Sequence, residues 1–163
     1  MGFENFNVML EGGETATQDA LDVIEGLQGV TRDGESEWTP ESRCYLYRDG
    51  QHAIELEVLG SPERVSCRFT LCHPASVDVV FVDFVRKLMK SLRMQVQICD
   101  DDLTAAFSLD RFDEFSHAVV RCINARRQEW KRAFGDQELG ATTNEAHRHI
   151  ILPHCQPVVE KAG

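Results

Sequence analysis

What this chain lacks narrows its chemistry. Nowhere in its 163 residues do about 18 apolar residues run together, so no membrane-spanning helix is expected. No glycine-rich phosphate loop, no catalytic-triad pattern and no metal-ligand spacing motif occurs. The six cysteines, at 44, 67, 72, 99, 122 and 155, include no Cys-x-x-Cys pair. Basic residues are scarce: 17 Lys and Arg stand against 27 Asp and Glu, for a formal charge of −10. A surface that negative repels phosphate backbones and anionic headgroups, so neither nucleic acid nor a membrane is an expected partner. The opening Met-Gly-Phe-Glu-Asn-Phe has no basic region and no apolar stretch, which argues against a secretory signal. Gly2 does not signal myristoylation, because the sixth position holds Phe6 in place of Ser or Thr. An even set of thiols in such a chain reads as free cysteines, and the cytoplasm is the expected compartment.

What is present is ordinary for a globular protein: 42% hydrophobic and 27% charged residues. A chain of this length can bury roughly 70% of its unfolded surface without disulfides or metal. One α+β domain over residues 1–163 is expected, with an irregular C-terminal tail over 140–163. The clearest element is a core-facing helix from Ser76 to Leu92, where Val77, Val80, Phe81, Phe84, Val85, Leu88, Met89 and Leu92 recur at three- and four-residue steps.

Around it the pattern alternates with a period of two. Phe6, Val8 and Leu10 mark a strand within Phe3 to Leu10. Thr15 and Gln18 have capping-box spacing for a helix carrying Ala20, Val23, Ile24 and Leu27, which Gly29 would end. Thr31 to Ser42 reads as a loop. Cys44 to Arg48 and Gln51 to Leu59 form a hairpin across Asp49-Gly50, a pair suited to a type I′ turn. Arg64 to Cys72 completes a three-strand meander in which Ile54, Leu56 and Val58 are buried while Glu55 and Glu57 are wet. Cys67 and Cys122 fall in apolar phase and read as small buried hydrophobes. After the central helix, Met94, Val96 and Ile98 make another strand, which Asp100 to Asp102 stop. Ser108 is a candidate N-cap for a long helix in which Phe112, Phe115, Val119, Cys122, Ile123, Trp130 and Phe134 mark the buried side and Gly135 marks the end. The expected fold is a mostly antiparallel sheet with helices on one face, of split β-α-β, ferredoxin-like character.

Three groups of residues could carry chemistry. His147, His149 and Cys155, with His154, offer nitrogen and sulfur donors of the kind zinc takes. Asp100, Asp101 and Asp102 could hold magnesium at a strand end, although such a run is more often a solvated turn. Cys72-His73 suggests a nucleophile and its base, yet adjacent side chains at a strand end diverge. On the last helix Arg127 and Lys131 lie four residues apart beside Trp130, an arrangement that could anchor a protein partner. Arg121, Arg126 and Arg132 extend that basic stretch.

From Gln18 to Gly135 the order of helix, meander, helix, strand and closing helix, the last opening Leu109-Asp110-Arg111-Phe112-Asp113-Glu114-Phe115, resembles small acidic type III secretion chaperones. That likeness implies a dimer that binds extended segments of exported effectors and catalyses nothing. Phe3 to Leu10 and the tail from Gly140 to Gly163 depart from the pattern. Phe6 to Val30 followed by Val65 to Asp100 also resembles ferredoxin-like immunity proteins of toxin systems. Both imply a non-enzymatic protein-binding module with no cofactor. The alternative is a metal-dependent enzyme built on the His147, His149 and Cys155 group, with zinc as its ion. Phe81 and Val82 exceed the needs of one inward stripe, which suggests a homodimer.

Overall fold

In the first strand, β1 (Asn5–Glu11), every second residue is buried: Phe6, Val8 and Leu10 face the core. The computed structural model describes residues 5–13, 17–37, 39–60, 64–99, 105–138 and 140–146. Helix α1 (Thr17–Glu25) follows, then β2 (Val30–Arg32), β3 (Arg43–Asp49), β4 (His52–Leu59) and β5 (Arg64–Thr70). Helix α2 (Val77–Leu92) leads to β6 (Gln95–Ile98) and β7 (Ala106–Phe107), and the long helix α3 (Phe112–Phe134) precedes a single helical turn, α4 (Thr143–Ala146). The strands form one seven-stranded sheet in the order β2-β3-β4-β5-β1-β6-β7, with every adjacent pair antiparallel.

The first strand thus sits inside the sheet. It pairs with β5 on one side and β6 on the other, so that Val8 lies opposite both Cys67 and Ile98. Because β5 and β6 are both antiparallel to β1, they run parallel to each other, and α2 is the crossover that joins them around the inserted strand. Its apolar stripe packs where the alternating strands expose theirs. Phe81 meets Phe6 edge-on at 5.9 Å and lies 4.8 Å from Phe69 between ring centroids. Tyr45 hydrogen-bonds Glu25 at 2.8 Å and ties β3 to α1.

Several expectations need revision. The hairpin turn is Gly50-Gln51, since Asp49 pairs with His52. Only Gly50 has a positive φ there, +56°, whereas type I′ requires one at both central residues. Moving the turn by one residue changes each partner by two, so the buried faces of both strands are preserved. The stretch Thr31 to Ser42, expected as a loop, holds all but the first residue of β2, and β7 lies beyond the aspartate run; both are strands of three residues or fewer, too short for alternation to register. Ser108 caps a 3₁₀ turn, Leu109–Arg111, that leads into α3, and its hydroxyl bonds Asp110 and no backbone amide. Phe81 is fully buried and Val82 partly so, because α2 touches α1 and α3 as well as the sheet. The exposed apolar residue of α2 is Val79, at 68%.

Candidate functional site

The second face of the sheet, opposite α2, carries the polar half of each alternating strand. Residues paired across antiparallel strands share a face, and the register sets out two rows. One runs Cys44, Glu57, Ser66, Met9 and Gln97; the other runs Leu46, Glu55, Arg68 and Asn7. The rows are knitted by side chains. Arg68 Nε donates to Glu55 Oε2 at 2.9 Å, Ser66 Oγ to Asn7 Oδ1 at 2.9 Å, and Gln97 Nε2 to Glu11 Oε1 at 2.6 Å.

This face is polar but not uniformly wet. Glu55 is 8% exposed and Thr70 wholly buried, because the chain after α3 folds back across it. Thr143 Oγ1 donates to Glu55 Oε2 at 2.6 Å, and Thr70 Oγ1 donates to the Ala141 carbonyl at 3.1 Å. Gly140 passes so close to the Gln51 carbonyl that a Cβ there would collide with it. Next comes a capping box. The Thr142 amide and hydroxyl both donate to Glu145 Oε2, at 2.8 and 2.9 Å, and the Glu145 amide donates back to Thr142 Oγ1 at 3.3 Å. The Thr-x-x-Glu spacing at 142–145 was legible in the sequence and is the signal that would have placed α4 in a segment expected to be irregular.

Below this segment lies His73, 1% exposed. The β4–β5 ladder stops at Glu55 and Arg68, and the imidazole takes over from it: the Ala53 amide donates to Nε2 at 2.9 Å. The proton is therefore on Nδ1, which stands 3.0 Å from the Thr70 carbonyl and 2.7 Å from the Thr70 hydroxyl. Burial pushes the His73 pKa down to about 4; the Thr70 carbonyl opposes this, and His52 and Arg48 add to it. Cys72 Sγ donates to Thr70 Oγ1 at 3.2 Å. Cys72 and His73 thus meet through a threonine in the interior, where Cys72 is fully buried.

The expected partner anchor is divided between core and surface. Arg127 forms a double hydrogen bond with Asp78, at 2.7 and 3.1 Å, joining α3 to α2. Trp130 is 1% exposed, its ring centroid 4.5 Å from that of Phe134, and its indole Nε1 has no hydrogen-bond partner among the described residues. Lys131 is on the surface, paired with Asp136 at 2.6 Å. Periodicity already placed Trp130 on the buried side of this helix, but it could not tell that Asp78 of α2 would take Arg127.

His147, His149 and Cys155 lie outside the described residues, as do Asp100 to Asp102. Among the described residues no three His, Cys, Asp or Glu side chains are grouped to hold a metal ion, and no helix is long and apolar enough to cross a membrane. The described cysteines are free thiols. Cys44 is pushed up to about 11 by burial and then by the carboxylates of Glu57 and Glu37, and burial raises Cys67 as well. An open groove of about 400 Å³ lies beside the hairpin, lined by Leu27, Gly29, Tyr47, Arg48, Phe84 and Lys87, with Tyr47 stacked on Phe84 at 4.4 Å. It gathers no reactive set. Comparison with protein-family models, with curated proteins and with solved structures returns no match.

Proposed function

We propose that this chain is a non-enzymatic protein-binding module that docks a partner segment on the second face of its sheet. One observation carries the reading: side-chain hydrogen bonds join β4, β5, β1 and β6 across that face, and it already accepts a peptide segment of the same chain through Glu55 and Thr70. Such a surface recognises backbone carbonyls and hydroxyls. The net charge of −10 favours basic partners over nucleic acid or anionic lipid.

Within this reading a chaperone-like or immunity-like role is the one to test. The order from α1 through β3, β4, β5, α2 and β6 to α3 supports the first, because it is the order on which the likeness to type III secretion chaperones rests. The arrangement β4-β5-β1-β6 around α1 and α2 supports ferredoxin-like character, with β2 and β3 added at one edge and β7 at the other. A secretion gene or a toxin gene beside this one separates the two roles.

The test is capture from a lysate of the source organism by immobilised protein, run with the native chain and with Glu57→Arg. Glu57 is half-buried in the first polar row. The expected result is a stoichiometric partner retained by the native chain and released by the variant. Retention by both alike, or by neither in repeated captures with a chain that elutes as a monomer, defeats the reading.

A further inference from the structure

We propose that residues 140–146 form a detachable strap that occupies, in cis, the face on which a partner segment docks, so that strap and partner exclude one another. The proposal rests on the protein-docking reading above, and it also fixes what the partner segment must look like. Among the described residues the strap is held by light contacts. Two hydrogen bonds reach it from the sheet residues Glu55 and Thr70, and the Arg48–Glu145 pair, 3.8 Å apart with both side chains about half exposed, is of the kind that contributes little.

Its buried apolar side chains are Ala141 and Ala146, whereas α3 buries Phe112, Phe115, Val119, Ile123 and Trp130. The strap's own side chains therefore contribute little apolar burial, and local opening is less costly than unfolding. The connection to α3 allows it. Gly135 has φ +79°, Asp136 and Glu138 are exposed, and among the described residues of this connection the contacts to break are the surface Lys131–Asp136 pair and the Gln137 bond to the Phe134 carbonyl.

The vacated face specifies its occupant. The Gln51 carbonyl admits only a glycine against it, the Thr70 hydroxyl donates to the carbonyl of the next residue, and the Glu55 carboxylate accepts from a hydroxyl three positions after the glycine. A partner segment with Gly followed by a small residue, and with Ser or Thr three residues after the Gly, satisfies all three. The strap is itself such a segment, Gly140-Ala141-Thr142-Thr143.

The experiment uses the full chain and a labelled peptide copying residues 138–146. Amide exchange is expected to be at least about tenfold faster in 140–146 than in β4 and β5; equal rates mean that the strap leaves only on global unfolding and overturn the proposal. Two variants loosen the strap: Gly140→Ala by collision with Gln51, and Thr143→Val by loss of the bond to Glu55. Should Gly140→Ala fail to fold, Thr143→Val carries the test. The peptide is expected to bind the loosened variant at least about tenfold more tightly than the native chain, because a face occupied in cis lowers apparent affinity by its open fraction. It is expected to shift the Ala53 and Thr70 signals, and to lose binding when its own glycine is changed to alanine. Equal affinity for native and loosened chains, or no binding to either, overturns the strap. Peptide binding together with repeated failure of lysate capture defeats the docking reading alone.

Discussion

Replacing His73 with glutamine isolates the energetic consequence of burying an imidazole where a backbone carbonyl would otherwise sit. Glutamine keeps an acceptor for the Ala53 amide but has no proton to gain. In the native protein the ring titrates near 4, against 6.5 for an exposed histidine. The unfolded chain therefore binds a proton between those values while the folded chain does not, and stability falls as pH falls through that window. Integrating the difference gives a loss, relative to pH 7, of about 2 kcal/mol at pH 5 and about 3 kcal/mol at pH 4. That is a large part of the 5–15 kcal/mol typical of a domain. The carboxylates of Glu37, Asp110 and Glu114, held low by hydrogen bonds from Arg32, Ser108 and Arg111 respectively, lose their contribution only at lower pH and do so alike in both proteins. Urea denaturation of native and His73→Gln protein from pH 7 to pH 5 is the assay. The variant is expected to be about 1 kcal/mol less stable at pH 7 and to close or reverse that gap by pH 5. Parallel stability curves would refute the neutral, buried imidazole and the network drawn around it.

The α2–α3 pair gives a second measurement: Arg127→Ala is expected to cost about 2–3 kcal/mol because it strands Asp78, whereas Lys131→Ala, on the surface, costs less than about 1 kcal/mol. Thermal denaturation of the two variants decides it, and equal losses would contradict the geometry. Phe81→Ala is expected to remove about 3–5 kcal/mol and Val79→Ala to stay within about 0.5 kcal/mol, as read by chemical denaturation. If Val79→Ala instead lowers the melting temperature in a concentration-dependent way, that residue lies in an interface between copies. Cys44 and Cys67 should resist alkylation in the native protein at pH 7.5 and react on unfolding, since burial suppresses both thiolates. Mass spectrometry of the labelled peptides checks this, and rapid native labelling at Cys67 would contradict its place in the core.

Much of the scaffold was readable in the sequence because it follows from local period. Phe6, Val8 and Leu10 on a strand, Val77 to Leu92 on a helix, and the long helix ending at Gly135 each repeat an apolar residue often enough to declare their geometry, and they appear as such. Alternation also marked which half of β4 and β5 would be polar. Strand order is readable only in part: a split β-α-β arrangement follows from right-handed crossovers, whereas the addition of β2 at one edge of the sheet and β7 at the other does not, because strands that short show no period. Burial of polar groups was likewise a tertiary outcome. Glu55 and Thr70 sit in phases that read as wet, and only the return of residues 140–146 across the sheet covers them. Arg127 shows the same limit from the other side: its helix was plain in the sequence, but its pairing with Asp78 of α2 was not, because periodicity records which residues share a face and packing alone decides what that face meets.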